Sequence, residues 1–215
     1  MATRMKIDFV SDVSCPWCVI GLRALEDAIA RIGPELEVEF EFQPFELNPQ
    51  MPAEGQDLDE HIMQKYGMGA ADTARNREAI RARGAELGFE FRMDKRDRIY
   101  NTFDAHRLLA WAAGAGRQRE LKHALFDTYF THGQNPGDHA VLLAAAESVG
   151  LDSLRAAALL ASDEYAEEVR EREAFYHQHG IHAVPAIILN ERHLLQGGQP
   201  SEVFEQALRE IAAQT

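Results

Sequence analysis

The sequence predicts an α/β fold in which a β-α-β unit and a β-β-α unit are separated by an all-helical segment. Three observations predict it. A short strand pattern over residues 6–10 gives way to helical spacing from Pro16, and then to strict alternation over residues 37–42. The stretch from 57 to 179 is rich in alanine, poor in β-branched residues and spaced in threes and fours. At Gly180 the chain returns to strand chemistry and closes on one more amphipathic pattern.

In the first strand, Ile7, Phe9 and Val10 are strand formers, and the polar Ser11 and Asp12 end the run. Cys18, Leu22, Leu25 and Ile29 then share one helix face. Pro16 suits the first helical position, where its missing N–H costs nothing, so Ser14 and Cys15 fall at the cap. Gly33 and Pro34 supply the stop. In the second strand Val38, Phe40 and Phe42 share one face, and Glu37, Glu39 and Glu41 form a solvated one. A right-handed crossover through the helix makes these two strands parallel.

In the central segment, Ile99, Phe103, His106, Leu109 and Ala110 fit one helix face, and Leu121, Leu125, Phe126 and Tyr129 another. Helical patterns continue over 141–149, 153–161 and 163–177, punctuated by glycines such as Gly67, Gly88 and Gly150. The arginines between 75 and 83 read as an exposed helix surface. After Gly180, Ala186 to Leu189 is an apolar run of buried-strand type. Asn190 and Glu191 form a turn, and His193, Leu194 and Leu195 resume the strand pattern. Gly197 and Gly198 break it, and Pro200 opens a last helix carrying Val203, Phe204, Ala207, Leu208 and Ile211. The division implied is one domain made of residues 1–50 plus 180–215, with a helical insertion domain at 51–179.

The 215 residues, 46% hydrophobic, suffice for a domain of this kind with an ordinary core. A net charge of −13, from 35 acidic and 22 basic residues, argues against a nucleic-acid partner, which needs a basic surface. No apolar run approaches the roughly 20 residues of a membrane span, so no membrane partner is expected. The first ten residues are too short and interrupted for a signal-peptide core, and a cytoplasmic location is the expectation. There, cytosolic reductants keep thiols reduced. The chain has two cysteines, Cys15 and Cys18. A bond between them closes a trivially small loop, so stability is a poor reason for the pair.

Cys15-Pro16-Trp17-Cys18 carries a different chemistry. A Cys-x-x-Cys at a helix start holds both sulfurs within bonding reach, and the helix N-terminus favours the thiolate of the first. Cys18 lies one turn further in, on the apolar face. Cys15 is therefore expected to attack a substrate disulfide, and Cys18 to resolve the mixed disulfide. The motif also follows a strand directly. Half of a zinc site is a competing reading, with His177, His179 or His182 as further ligands, but a second Cys-x-x-Cys is missing and no metal is expected. The spacing and cap position argue against a pair of buried apolar cysteines; a vestigial site that only binds a thiol ligand stays open.

The segment from Asp12 to Cys18 resembles the active-site segment of DsbA-like thioredoxin-fold oxidoreductases, and more closely that of the FrnE subfamily. Supporting stretches are Phe42 to Pro49, Asn101 to Arg107, and Val184-Pro185-Ala186. The resemblance spans essentially the whole chain and implies a thioredoxin fold interrupted by a helical insertion. It gives Pro185 a cis peptide bond beside the dithiol, and gives Val184 backbone groups that hold an extended substrate. Pro16 and Trp17 tune the redox pair. His106 shares a helix face with Phe103 and Leu109 and reads first as a satisfied core histidine; the functional alternative is that Asn101, His106 or Arg107 faces the cleft, since similar residues recur in related glutathione-binding isomerases. Asp12 and Asp8 are candidate proton acceptors for Cys18, with a capping or surface role as the alternative.

The reading that results is a protein disulfide oxidoreductase acting on protein or small-molecule disulfides, as a monomer or homodimer. It has no tightly bound cofactor, and glutathione is a candidate redox partner. The resemblance also leaves a glutathione-dependent isomerase or transferase, of the hydroxychromene-carboxylate isomerase or kappa type. Those enzymes typically carry serine where Cys15 stands, and the presence of both cysteines favours redox chemistry. A chaperone-like peptide-binding module is the third reading.

Overall fold

The computed structural model describes residues 2–214. Strand β1 (Thr3–Ser11) leads into helix α1 (Pro16–Ile32) and back through a 3-10 turn, Gly33–Glu35, into β2 (Leu36–Pro44). Gly33 sits at φ 69°, in the left-handed region where glycine carries no Cβ penalty. β1 and β2 are parallel, in register from Thr3 opposite Leu36 to Ser11 opposite Pro44. The returning half supplies β5 (Ala186–Leu189), β6 (His193–Gln196) and α9 (Ser201–Ala212). The sheet order is β2-β1-β5-β6, with β5 antiparallel to both neighbours.

Between the halves lie α2 (Leu58–Tyr66), α3 (Ala70–Glu86), α4 (Phe103–Gly114) and α5 (Gln118–Phe126), which runs on into a π turn over Asp127–Thr131. Helices α6 (His139–Ser148), α7 (Ser153–Leu160) and α8 (Ala166–Gln178) follow. The segment also holds a two-residue antiparallel ladder, β3 (Gln56–Asp57) with β4 (Arg98–Ile99). Ile99, expected on a helix face, therefore belongs to a strand, and α4 starts at Phe103, whose N–H is capped by the Asn101 side chain at 2.9 Å. Helix α8 starts at Ala166 rather than 163, because Tyr165 takes φ 62° and breaks the helical path.

The pleat divides the core. Ile7 and Phe9 on one face of β1 pack with Leu22 and Leu25 of α1 and with Phe204 and Leu208 of α9. Val10 on the other face packs with Phe45, Tyr176, Ile181 and Ala186. The helices have their own cluster around Leu108, Leu121, Leu142 and Leu159, and Val13, two residues before Cys15, is part of it. At about 1.5–3 kcal/mol per fully buried large apolar side chain, these clusters hold the turn between β1 and α1 against both layers. Glu37 and Glu39 are exposed, as their alternation predicts. Arg75, Arg77, Arg81 and Arg83 each pair with an acid, so α3 presents a mixed surface.

Candidate active site

The turn after β1 is closed by backbone hydrogen bonds from Cys15 N–H to the Asp12 carbonyl (3.2 Å) and from Cys18 N–H to the Cys15 carbonyl (3.1 Å). Cys15 is the N-cap of α1, in extended conformation, with Pro16 next to it at the helix start. Its side chain caps nothing, so the partial positive charge of the helix end lies beside a sulfur that is not engaged by it. Cys15 is 4% exposed and Cys18 fully buried. Both are free thiols.

The chain from α8 into β5 forms the opposite lip. The Val184–Pro185 bond is cis, and the Cys15 thiol donates to the Val184 carbonyl at 3.7 Å. Pro185 packs so closely on α1 that a Cβ added at Gly21 would stand 2.9 Å from its Cγ. Gly198 meets Trp17 in a similar way, with a would-be Cβ 3.2 Å from the Trp17 carbonyl. Glycine at these two positions is a condition of the close approach.

Cys15, Pro16, Trp17 and Val184 line a groove of about 660 Å³, together with a wall of residues from α2, α3 and the segment before β4. Leu58, Ile62, Tyr66, Ile80 and Ile99 give it an apolar floor.

Behind the dithiol the environment is dry. Burial pushes the Cys18 thiol well above its ordinary pKa, the neighbouring Cys15 adds to this, and Lys122 opposes it. Lys122, on α5, is 0% exposed and its ammonium has no hydrogen-bond partner. It lies over the rings of Phe126 (5.1 Å) and Phe42 (5.9 Å). Burial lowers its pKa to about 8, against the pull of Cys18, Asp12 and Cys15. Sequence reasoning missed this residue. The available signal was its place one turn before Phe126 and one turn after Gln118, on a face of α5 that turns inward.

Asp12 is buried and does not line the groove. Its carboxylate accepts from the backbone N–H groups of Ser14 (3.1 Å) and Leu47 (2.7 Å), and His106 Nε2 stands 3.6 Å away. Burial alone would raise its pKa, but His106 and the two N–H groups outweigh it and hold the carboxyl below the ordinary value. Asp12 thus ties the dithiol turn to the strand end at Leu47. His106 is buried with its Nε2 facing Asp12 and does not line the groove, as a core histidine would stand. Asp8 is bound by Gln43 (2.7 Å) and Lys6 (3.4 Å) on β1.

Two cleft candidates lie elsewhere. Asn101 donates to the Met51 carbonyl at 3.2 Å and caps α4. Arg107 points into the helical layer, donating to the carbonyls of Leu159 (2.8 Å), Glu164 (2.9 Å) and Ser162, and to Asp104 (2.8 Å). The reason is local: the turn after α7 presents the Ser162 and Glu164 carbonyls beside that of Leu159, which also accepts from Ser162, and the planar guanidinium reaches all three. Among the described residues no His, Cys, Asp or Glu cluster is arranged to hold a metal ion.

Residues 6–209 match the family of DSBA-like thioredoxin domains. The chain is similar to a probable DsbA oxidoreductase of Streptomyces coelicolor, with 34% identity and a TM-score of 0.85 over 96% of this chain and 89% of that one. An uncharacterized protein of Bacillus subtilis, YwbO, is 28% identical over 97% of this chain and 96% of its own. Two more distant structures share the fold. The cytosolic disulfide reductase DsbM of Pseudomonas aeruginosa, solved with GSH, has 17% identity and a TM-score of 0.63 over 95% of this chain and 98% of that one. A 2-hydroxychromene-2-carboxylate isomerase has 15% identity and a TM-score of 0.70 over 97% of each chain.

Proposed function

Since the chain belongs to the DSBA-like thioredoxin domain family, we propose that it is a thiol–disulfide oxidoreductase whose working pair is Cys15 and Cys18, acting on protein or small-molecule disulfides. The observation that carries this reading is the asymmetry of the pair: one sulfur at the helix cap beside the groove, the other fully buried one turn behind it.

The Cys15 thiolate attacks one sulfur of a substrate disulfide. A Cys15–substrate bond forms, the substrate's S–S bond breaks, and the leaving thiolate takes a proton from solvent. Cys18, once deprotonated, attacks the Cys15 sulfur and releases the second substrate thiol. Two electrons pass to the substrate, and the protein becomes the disulfide. The same geometry runs in reverse. Burial of Cys18 delays the second step until its proton leaves, and the positive charge of Lys122 favours that departure. The Val184 carbonyl and its neighbouring backbone offer hydrogen bonds to an extended substrate.

Glutathione is the proposed redox partner and the cytoplasm the proposed setting. The fold neighbour DsbM, a cytosolic reductase solved with GSH, supports both by analogy of fold. Among the described residues no helix is long and apolar enough to cross a membrane.

The test is the redox equilibrium of the pair against glutathione buffers, followed through Trp17 fluorescence, with insulin-disulfide reduction in the same buffers. A reversible transition, with turnover lost in Cys15→Ser, is the expected result. A stable glutathione complex without turnover would overturn the proposal and favour an isomerase or transferase.

A further inference from the structure

This wall of the groove gathers positive charge in a chain whose net charge is −13. Lys65, Arg77 and Arg96 line it together with His61. Arg77 is neutralised by Asp59 at 2.5 Å. Lys65 and Arg96 are not: among the described residues neither has a carboxylate within salt-bridge distance, although most arginines of this chain do. Lys65 donates to the Leu47 carbonyl (2.7 Å) and the Asn48 side chain (2.8 Å), which leaves one of its three N–H groups for a ligand. The Arg96 guanidinium lies on the rings of Tyr129 (4.8 Å) and Phe130 (5.1 Å), and its Nε has no hydrogen-bond partner. His61, 8% exposed, uses Nδ1 on Gln56 at 2.9 Å while its buried Nε2 is unpartnered. Glu46 is the one acid lining the groove among the described residues, and it is held by Arg170.

Like charges brought together without a counterion repel. Burial, and then Lys65 and Arg96, hold the His61 pKa below its ordinary value, so the three groups sense one another across this wall. Asp12, outside the groove, attracts Lys65 without pairing with it, so Lys65 and Arg96 remain able to take the charge of an anion. Cys15 lines the same groove.

We infer that the groove carries a carboxylate-binding subsite formed by Lys65 and Arg96, with His61 beside them, and that the preferred substrate is a disulfide bearing a carboxylate, which this subsite holds while the sulfur meets Cys15. The inference rests on the oxidoreductase reading for the second half of that statement only. The carboxylate can belong to a small acidic disulfide or to an acidic side chain flanking a protein cystine. No new bond is made at the subsite; it binds and orients.

The experiment mixes the reduced protein with dithiodipropionate (a dianion), bis(2-hydroxyethyl) disulfide (neutral) and cystamine (a dication), and follows oxidation through Trp17 at low salt. The dianion is expected to react roughly tenfold faster than the neutral compound, as one charge-assisted hydrogen bond warrants, and the dication slowest. Added salt shrinks the difference. Lys65→Met and Arg96→Gln should each remove most of the dianion's advantage, and the readout is the ratio of the dianion's rate to the neutral compound's, in which any general loss from the bonds Lys65 makes to Leu47 and Asn48 cancels. Oxidised glutathione and a cystine peptide with flanking glutamates separate the two sources of the carboxylate, by which of them keeps the advantage. Equal rates for the three disulfides, or variants that slow all three alike, would overturn the inference while leaving the oxidoreductase reading intact. If no disulfide oxidises the protein, the oxidoreductase reading falls instead. Calorimetric titration of dithiodipropionate into the Cys15→Ser, Cys18→Ser protein, with and without Lys65→Met, then decides the subsite: binding weakened by Lys65→Met upholds it, and no binding refutes it.

Discussion

Replacing Lys122 by methionine should make the protein more stable and a poorer catalyst. The side chain is fully buried, its ammonium has no hydrogen-bond partner, and its pKa is lowered from 10.5 to about 8. At 1.36 kcal/mol per pH unit, the folded state disfavours the ammonium by about 3 kcal/mol relative to the unfolded chain. The sign follows from proton counting. Between pH 8 and 10.5 the unfolded chain holds a proton at this site that the folded chain has lost, so stability rises with pH across that window. Below pH 8 both states are protonated and the penalty is present in full. Methionine has similar length and no charge, so Lys122→Met should gain about 3 kcal/mol at pH 7, or roughly 6–12 °C in melting temperature for a chain of this size. The gain should fade as pH rises past 10.5. Chemical denaturation at pH 7 and at pH 10.5 reads both arms. The kinetic arm uses a mixed disulfide between Cys15 and a chromophoric thiol: without the positive charge beside it, Cys18 should displace that thiol severalfold more slowly at pH 7. Equal stability of the two proteins at pH 7, or a gain that persists undiminished at high pH, would mean that burial does not penalise the Lys122 ammonium.

Three further outcomes follow from the packing. Gly21→Ala, which in an ordinary helix interior adds about 1 kcal/mol of stability, should here cost about 1–3 kcal/mol, because the methyl meets Pro185 Cγ at 2.9 Å; urea unfolding measures the cost, and insulin reduction should fall as the Val184 carbonyl is pushed from Cys15. Arg107→Met should cost about 1–3 kcal/mol by removing the donor to the Glu164 and Ser162 carbonyls, while Leu159 keeps its bonds from Ser162 and Asp104 its contact with His139, yet leave the redox rate per folded molecule unchanged; a changed potential would show that the helical layer reaches the dithiol. Burial raises the pKa of Glu46, helped by the neighbouring Glu173, and burial also raises that of Glu173, while both hold Arg170. The folded state therefore binds protons more readily at these sites, and their contribution to stability declines as pH rises through the raised values. Melting temperatures measured upward from about pH 4 should show that decline, shallower in Glu173→Gln.

Much of this molecule is legible in its local patterns. Alternation over residues 37–42 and the three-and-four spacing after Pro16 are short-range signals, and they return β2 and α1 within a residue or two. The position of Cys15 at a helix cap, with Cys18 one turn inside, also follows from local rules, because a helix start is built from neighbours in the chain. Val184-Pro185 was recognisable through the resemblance, being part of a contiguous motif. What periodicity could not supply is the company each group keeps. Asn101 and Arg107 stand in a stretch resembling cleft residues, yet one caps α4 and the other collects carbonyls from the loop after α7. His61, Lys65 and Arg96 lie 4 and 31 positions apart, and nothing local says that they share a wall. Lys122 lies more than 100 residues from Cys18 and reads by itself as an ordinary surface lysine. Its burial is decided by how α5 docks against β2 and α1, where the apolar area of Phe42 and Phe126 outweighs the cost of carrying one ammonium inside. The sequence alone determined the Cys-x-x-Cys pair and the elements that present it. The groove's charge, the dry space behind Cys18 and the true partners of the polar residues were decided by tertiary packing, because burial and electrostatics depend on distance in space, which local sequence spacing does not encode.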